Sequence, residues 1–338
     1  MMMADASSRT RRVPVLILNF NRWDETFAGI ETMQPYLSDL WLVDNGSDDD
    51  RTAEAAARFP HLRTLRLPEN GGWASGYNRA LRVVLSEGYD TAYLLNNDAI
   101  PQPGAVESAV ATLRSCENCA AVGSVILQEA GKRVTFDGEY FHFKSHAERQ
   151  ASVVRPGVRP VRTLHGAGFA LSMQAFAALG PFPEDYFLYW EEADWFITAR
   201  QRGWNLVLDG ASIVMHEGSA SDSNDNAKYY RTRNRFLALR RRVSISGERE
   251  SPISLIHEEL QRARRGDSNG RRSMREGLLD GLLGRFGRRR QPWPPLVLHP
   301  ATVALSMVVL PYRLLRKLAD RSSAPAMGLN PSRAADHQ

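Results

Sequence analysis

The chain has 338 residues, 43% of them hydrophobic and 24% charged, which is enough for one large α/β domain with an appendage or for two domains. Its only cysteines are Cys116 and Cys119, and without a second pair neither a zinc site nor a redox motif is favoured. Residues 1–12 are polar and lack the apolar run of a secretory signal, so we expect a disordered N-terminus and a cytoplasmic protein.

Charge is distributed unevenly along the chain. From Lys228 onward there are 23 basic and 9 acidic residues, a net charge of about +14, which leaves 20 basic and 29 acidic residues, about −9, before it. The basic C-terminal region therefore requires its own explanation.

The first hundred residues alternate between strand and helix patterns. Such an alternation predicts a mainly parallel sheet with right-handed crossovers and helices on both faces. The second helix follows a polar turn in which Ser47 or Asp48 is the expected N-cap. The predicted strands cover residues 13–20, 39–43, 62–67 and 91–96, and the predicted helices cover 24–33, the residues up to Arg58, and 74–85.

Polar residues follow the apolar part of three of these strands. Ligands of open α/β sheets bind beyond the carboxyl ends of the strands, so these side chains are expected to face a site. Asp98 is the strongest candidate, because a carboxylate is a hard ligand suited to Mg2+ or Mn2+. Alternatively, Asn96, Asn97 and Asp98 simply form a turn before Pro101.

A glycine-rich stretch, residues 70–78, precedes the third predicted helix. Its glycines permit close backbone approach, and a helix N-terminus is a natural anion site. The spacing is not that of the dinucleotide-binding fingerprint, and the stretch follows the third strand rather than the first.

Three carboxylates, Glu191, Glu192 and Asp194, begin a predicted helix that Gly203 closes. Acidic residues in a first turn are explained by the helix dipole alone. The adjacent aromatic residues offer another interpretation, a sugar-stacking wall that partly desolvates a carboxylate and raises its pKa toward that of a general base. These aromatics are Tyr186, Phe187, Tyr189, Trp190 and Trp195.

The elements around this helix are less regular. A helix is expected at 104–113, a strand at 120–127, short strands and loops at 128–162, a glycine-interrupted strand at 163–171 and a helix from about 172 to 179. Two short strands, 205–208 and 211–215, lead to His216, an imidazole that would complete a metal site with Asp98. The polar stretch 217–227 is predicted to be a mobile loop that closes over a ligand.

The basic region is predicted to form helices at 228–242, 254–265 and 273–283. The apolar stretch 296–310 is too short and too rich in proline for a membrane span. Two interpretations remain open for the segment that Trp293 and Tyr312 flank: an interfacial element on an anionic membrane, with arginines on both sides, or a buried element packed against the main domain. Residues from about 322 are expected to be disordered.

Together these motifs resemble the inverting family 2 glycosyltransferases of the GT-A fold, in particular their rhamnosyltransferase-like branch. The resemblance is carried, in chain order, by residues 19–21, 43–47, 70–78, 94–98, 187–200 and 233–234. It implies an α/β, Rossmann-like GT-A domain over 13–242, with a nucleotide-sugar half at 13–128 and an acceptor half at 163–242. A basic helical extension, 243–321, and a tail, 322–338, would follow.

The resemblance also implies roles for single residues. Asp98, with His216, would bind Mg2+ or Mn2+, and Glu192 would be the catalytic base beside Asp194 and Glu191. Acceptor contacts fall on Gly166, Ala167, Gly168 and Trp190. Asp44 would contact the base of the donor nucleotide. Contacts to the donor as a whole fall on Asn19, Asn21, Asp44, Asn45, Asn70, Gly71, Gly72, Asn78, Asn96, Asn97 and Asp98.

The implied donor is dTDP-rhamnose, or else a UDP-sugar such as UDP-galactofuranose, UDP-galactose or UDP-N-acetylglucosamine. The implied acceptor is a polysaccharide or a lipid-linked glycan at the inner face of the membrane. Two positions depart from the family pattern: the metal motif has a single acid, Asp98, and the base is Glu192 where aspartate is commoner.

Three other classes compete with this reading. A nucleotidyltransferase would need an early glycine-rich loop with a basic residue, which residues 19–22 do not provide. A nucleic-acid-binding protein acting through the arginine-rich region lacks a recognisable fold signature, and no nucleic acid is expected as a partner. A non-catalytic relative is kept open by the single-acid metal motif.

Overall fold

The structure is a computed structural model that describes residues 12–34, 39–138, 154–217, 224–241, 251–265 and 267–312. The expected disorder before residue 12 and after residue 321 lies outside these ranges, as do residues 218–223 of the expected mobile loop and residues 139–153 of the irregular stretch. Residues 225–227 of that loop form the first turn of a helix that Asn224 caps, so this end of the loop was predicted wrongly. The described chain is a mixed α/β structure with a central sheet flanked by helices.

The elements follow the predicted order closely. The strands are β1 (Val15–Asn19), β2 (Leu40–Asp44), β3 (Arg63–Arg66), β4 (Thr91–Asn96), β5 (Ala99–Pro101), β6 (Cys119–Gln128), β7 (Arg133–Phe136), β8 (Val158–Pro160), β9 (Gly168–Ser172) and β10 (Asn205–His216). The helices are α1 (Trp23–Met33), α2 (Thr52–Arg58), α3 (Trp73–Ser86), α4 (Ala105–Ser115), α5 (Met173–Leu179), α6 (Glu191–Gln201), α7 (Asp225–Arg240), α8 (Pro252–Arg265), α9 (Ser268–Leu283) and α10 (Pro295–Val308).

The sheet runs in the order β3-β2-β1-β4-β9-β6-β10-β5. The first four strands pair in parallel, as their alternation with helices predicts, and Asn19 lies beside Asp44 in the register. From β9 onward the sheet is mixed, because β9 runs antiparallel to both β4 and β6. The start of β9 therefore lies beside the end of β4, with Gly168 opposite Leu95, at the edge that carries the polar residues.

Three local predictions were wrong. The two strands expected at 205–208 and 211–215 form the single strand β10, in which Gly210 is needed because a Cβ there would collide with the carbonyl oxygen of Arg155. The strand expected at 163–171 begins only at Gly168. Helix α2 begins at Thr52, whose amide and hydroxyl donate to Asp50, so neither Ser47 nor Asp48 caps it.

The C-terminal helices pack against α7. Gly277 and Gly281 of α9 allow close approach, since a Cβ at either would collide with Tyr229 or Phe236. These helices enclose a second apolar cluster formed by Phe236, Leu255, Leu260, Leu278 and Val309.

Part of the excess positive charge of the C-terminal region is neutralised by ion pairs between these helices. Arg235 of α7 is 2% exposed and forms ion pairs with Glu259 and Glu258 of α8. Arg289 and Arg272 likewise pair with the buried Glu276. Among the described residues, no helix combines the length and apolar character needed to cross a membrane.

Candidate active site

The ends of β1 and β2 are joined by buried polar side chains. The Asn19 amide donates to Asp44 Oδ1 at 3.1 Å and to Ser47 Oγ at 3.3 Å, while its Oδ1 accepts from the Arg22 backbone amide and the Thr26 hydroxyl. Asp44 also pairs with Arg66 of β3, a partner that the sequence analysis did not identify. Asn21 lies at the rim, where its side chain contacts Asp48.

The glycine-rich stretch forms the turn before α3. Asn45 donates to Asn70 Oδ1 at 3.1 Å and to the Gly72 carbonyl at 3.0 Å, and the Gly71 amide donates back to Asn45 at 3.4 Å. Gly72 has φ +90°, a conformation that requires glycine, and its missing side chain leaves room for the carbonyl of Phe187. This turn is thus in contact with the segment that leads to the three acids.

Asn78 has a different environment from the other proposed donor residues. It is fully buried, donates to the Phe182 carbonyl at 2.8 Å and to Glu184 Oε1 at 2.9 Å, and accepts from the Phe182 amide at 2.9 Å. These contacts occupy the amide, so we treat Asn78 as a positioning residue that connects α3 to the acid-bearing segment.

Asp98 lies in the turn between β4 and β5, next to His216 at the end of β10. The register places His216 opposite Ala99, and His216 Nε2 is 3.1 Å from Asp98 Oδ1. Burial alone would raise the pKa of Asp98, but the hydrogen bond and charge of His216 hold it below its ordinary value. The turn expected here is therefore present, and it also brings together the two predicted metal ligands.

The donor set of this pair is compatible with a divalent cation. The side chains of Asp98 and His216 are 13% and 8% exposed, and their facing atoms are 3.1 Å apart. Adjacent ligands of an octahedral ion with bonds of about 2.1 Å are about 3 Å apart, close to this separation. No group of three or more His, Cys, Asp or Glu able to hold a metal occurs among the described residues, so these two side chains are the ligands that the described chain would offer a cation here.

A three-residue loop, 165–167, connects this pair to the acids. The ring of His165 packs edge-on against that of His216 at 5.7 Å. A Cβ on the next residue, Gly166, would lie 3.1 Å from Glu192 Oε1, so Gly166 leaves room for that carboxylate. The Ala167 carbonyl accepts from the Asn96 amide at 3.1 Å. The candidate metal pair and the candidate base therefore lie against neighbouring residues of one loop.

The three acids at the start of α6 have distinct surroundings. Glu192 is half-buried, and burial raises its pKa, although the first amides of the helix and Arg231 oppose the shift. Glu191 is 1% exposed, and burial together with the charge of Glu192 raises its pKa well above its ordinary range. Asp194 faces away, toward Tyr186, Thr198 and Arg241.

The aromatic residues around the acids are mostly structural. Tyr186 and Trp195 are buried, and Trp195 donates to the Gly180 carbonyl at 2.8 Å, so the expected sugar-stacking wall is not formed by them. Trp190 is 9% exposed and packs in a cluster with Tyr186 and residues of α6 and α7. The carboxylates of Glu191, Glu192 and Asp194 are themselves desolvated by burial, which raises the pKa of each.

The segment before α6 has an unusual backbone that distant residues stabilise. Phe187, Tyr189 and Trp190 have φ of 64°, 67° and 85°, values that L-residues rarely adopt. The buried amide of Asn234 donates to the carbonyls of Tyr186, Leu188 and Tyr189 at 3.0, 2.8 and 2.8 Å.

Arg233, beside Asn234 on α7, completes this support. Its guanidinium donates to the carbonyl of Tyr186 at 2.7 Å and to that of Gly287, which follows α9. The Gly287 amide in turn donates to the Asp185 carbonyl at 2.7 Å. The C-terminal helices therefore take part in holding the acid-bearing segment.

Besides Arg66, sequence reasoning missed two further charged or titratable residues of the site, His165 and Arg231. Burial lowers the pKa of His165 to about 3, and the nearby His216 adds to this effect, so the ring is neutral. Arg231 lies over the ring of Tyr189 at 4.4 Å and lowers the pKa of Glu192. The position of His165 beside Gly166 was a usable signal, whereas nothing distinguished Arg231 from the other arginines of α7.

Comparison with solved structures defines the class of the fold. The chain superposes with a TM-score of 0.52 on Staphylococcus aureus TarS 1–349 in complex with UDP-GlcNAc, at 11% identity over 80% of each chain. The TM-score is 0.50 with the mannosyltransferase PcManGT from Pyrobaculum calidifontis in complex with GDP-Man and Mn2+, at 16% identity over 90% of this chain and 82% of the other. The fold is that of the GT-A glycosyltransferases.

Sequence comparison agrees with this fold. Residues 15–173, just under half of the chain, match the model of Glycosyl transferase family 2, so this part of the chain is a glycosyltransferase domain. One relative, the N-acetylglucosaminyl-diphospho-decaprenol L-rhamnosyltransferase of Mycobacterium tuberculosis, is 23% identical over 222 residues, which cover 56% of this chain and 69% of the relative.

Proposed function

We propose that this enzyme is an inverting, metal-dependent glycosyltransferase that moves rhamnose from a nucleotide-diphosphate donor to a hydroxyl group of a polysaccharide or lipid-linked glycan. The observation that carries the proposal is the loop 165–167, where His165 contacts the Asp98–His216 pair and Gly166 accommodates Glu192. Inverting transfer needs these two kinds of group near each other, one for the leaving diphosphate and one for the acceptor hydroxyl.

The choice of sugar and acceptor is supported by the relative from M. tuberculosis, whose name specifies rhamnosyl transfer to a lipid-linked N-acetylglucosamine. A UDP-sugar donor is the second candidate, favoured by the fold similarity to a protein solved with UDP-GlcNAc. The two candidates use the same site and differ in the contacts made to base and sugar.

On the donor side, the ends of β1 and β2 would receive the nucleotide. Asn19 and Asp44 are fixed by their mutual hydrogen bond, and Asp44 would contact the base from this position. Asn45, Asn70 and Gly72 shape the turn at the start of α3, where the positive end of the helix dipole is suited to an anionic group.

Asp98 and His216 would hold Mg2+ or Mn2+ at the diphosphate. A structural neighbour solved with Mn2+ supports a divalent ion without deciding which one. When bound, the ion would act as a Lewis acid that stabilises the negative charge of the departing nucleoside diphosphate. The protein contributes a pair of ligands that the β5–β10 register already holds together.

Glu192 would act as the base on the acceptor. Its carboxylate accepts the proton of the attacking hydroxyl while that oxygen bonds to the anomeric carbon from the face opposite the nucleotide, so the configuration inverts. Burial raises the pKa of Glu192 and so strengthens it as a base, whereas the charge of Arg231 lowers that pKa and favours the ionised form.

The proposal is tested first by thermal unfolding of the full chain with a panel of nucleotide sugars, with and without Mn2+ or Mg2+. A ligand at one hundred times its dissociation constant stabilises by about 2.7 kcal/mol, so a true donor should separate from the panel. Stabilisation by one nucleotide sugar only when metal is present is the expected result. Donor binding that is independent of metal would contradict the role of Asp98 and His216, and no stabilisation by any donor would favour a non-catalytic relative.

A further inference from the structure

The outward face of helix α10 is mostly apolar, with His299 as its exposed polar residue. Residues 291–312 contain no Lys, Arg, Asp or Glu. Leu296, Met307 and Val308 are 90%, 67% and 64% exposed, and Val303 and Leu310 extend the same surface. A surface helix normally carries charged residues on its solvent side, so this face is expected to contact something other than water.

The opposite face of α10 packs against the rest of the protein. Leu298, Thr302 and Val309 are buried at helical spacing against the neighbouring helices, and Val309 belongs to the apolar cluster of the extension. The helix therefore packs on the protein through one side and leaves the other side uncovered. The interpretation of a buried element therefore holds for this face of the helix, and the interpretation of a membrane-binding element concerns the opposite face.

Arginines lie beside the exposed apolar face. A groove of about 300 Å3 between α9 and the start of α10 is lined by Arg271, Arg272 and Arg275 together with Leu298 and His299. Arg275 also lines a smaller cavity of about 100 Å3, with Arg264.

Apart from Arg272, which pairs with Glu276, these arginines differ from the paired ones inside the helical packing. In the part of the chain that the structure describes, Arg264, Arg271 and Arg275 form no ion pair or hydrogen bond with a carboxylate. The site therefore combines an apolar ridge with positive charge that the fold does not neutralise.

We propose that this surface, the α10 face, binds an anionic phospholipid bilayer, with the apolar residues of α10 entering the interface and Arg264, Arg271 and Arg275 contacting lipid phosphates. Interfacial helices bind by this combination of apolar area and basic charge. The proposal goes beyond the glycosyl transfer proposed above and does not depend on it. Charge favours lipid over a second copy of the chain, since a symmetric contact through this face would bring the two arginine groups toward each other.

The test is sedimentation of the full-length protein with vesicles of phosphatidylcholine alone or with about one-third phosphatidylglycerol. Binding is expected only to the anionic vesicles and should weaken as salt is raised, because exposed charges are screened. The double variant Leu296→Glu/Met307→Glu should bind at least about tenfold more weakly. Val158→Glu, at a valine of β8 that is 54% exposed, is the matched control and should bind like the wild type.

Charge reversal tests the second component. Arg271→Glu/Arg275→Glu should lower vesicle affinity by at least about fivefold per arginine, with an unchanged thermal midpoint because neither residue has a carboxylate partner among the described residues.

Three results would overturn the proposal. They are equal binding of the wild type and the Leu296→Glu/Met307→Glu variant, equal binding to neutral and anionic vesicles, and a wild-type dimer that Met307→Glu converts to a monomer without any vesicle binding.

Discussion

The two sides of the candidate site are built in different ways. On the donor side, Asn19, Asp44 and Asn45 lie at the ends of adjacent parallel strands and fix one another through short-range contacts in the sheet. On the acid side, the segment before Glu192 has three positive φ values, and its carbonyls are held by Asn234 and Arg233 of α7. The donor side follows from strand pairing, whereas the acid side depends on helices much later in the chain.

This difference indicates where the enzyme is sensitive. Each non-glycine residue in a sparsely populated backbone region costs about 1–3 kcal/mol, and such a conformation persists only when its surroundings over-determine it. Because Gly287 completes that support, the basic C-terminal region is structurally part of the site. Changes on the donor side should affect mainly donor binding, and changes on the acid side should affect mainly the rate of transfer.

The largest effect on the rate is expected at Glu192, the proposed catalytic base. Glu192→Gln removes the proton acceptor and should lower kcat by on the order of 100- to 10,000-fold, with donor-induced stabilisation nearly unchanged. Steady-state kinetics and thermal shifts on the same preparation separate these two quantities. Glu192→Asp is the control and should retain part of the rate. Loss of donor binding as the main defect would instead make Glu192 a donor-site residue.

The next effect concerns the support of the acid segment. Asn234→Ala leaves the carbonyls of Leu188 and Tyr189 without this donor, while that of Tyr186 keeps Arg233, and should lower the free energy of unfolding by about 3 kcal/mol and also lower kcat. Asn45→Ala is the matched comparison, since it likewise removes a side-chain amide donor, here one with two hydrogen bonds, and it should raise KM for the donor more than it lowers kcat. Denaturant titration and kinetics measure both. Identical kinetic defects in the two variants would contradict the division between the two sides.

A slightly smaller effect is expected at the metal pair. Asp98→Ala should abolish the metal-dependent part of donor stabilisation, about 2.7 kcal/mol at saturating donor. Asp90→Ala is the control, because Asp90 precedes the same strand at its other end and pairs with Arg114 at the surface. A variant at Asp98 that keeps the full metal response would remove this residue from the proposed metal site.

The smallest effect is in pH dependence. Because burial raises the pKa of Glu191 in the folded state, the folded protein binds more protons than the unfolded chain between the ordinary and the raised pKa, and stability falls as pH rises through that window. The loss is about 1.4 kcal/mol per pH unit within it. Glu191→Gln should therefore flatten the stability profile and be more stable than the wild type at the alkaline end. A profile that stays as steep as that of the wild type would show that another group is responsible.

The same reasoning gives the pH dependence of the reaction. Glu192 must be ionised to accept a proton, and its pKa is raised by burial, so the rate should fall about tenfold per pH unit below that raised pKa. Arg231→Gln removes a positive charge that lowers this pKa and should move the acidic limb of the profile to higher pH. An unchanged acidic limb would show that the charge of Arg231 does not affect the pKa of Glu192.

Much of the fold could be predicted from local sequence patterns. The strand predicted at 91–96 is β4 (Thr91–Asn96), and the strand–helix alternation correctly indicated the parallel pairing of the first four strands. Two features could not be predicted from the sequence: the antiparallel pairing of β9 with β4, and the continuation of β10 through Gly210. Both depend on which distant segment of the chain packs beside the strand. Local turn chemistry misled in the same way at Ser47, whose hydroxyl serves Asp44 and Asn21 rather than a helix cap.

The sequence alone determined which residue types lie at the strand ends and that three acids begin one helix, since these follow from hydrophobic periodicity over a few residues. Only the tertiary structure decided that His216 contacts Asp98, that Glu192 rather than Asp194 faces Gly166, and which face of α10 stays exposed. The physical reason is that strand register and helix packing set the contacts between distant residues, and neither is encoded in local periodicity.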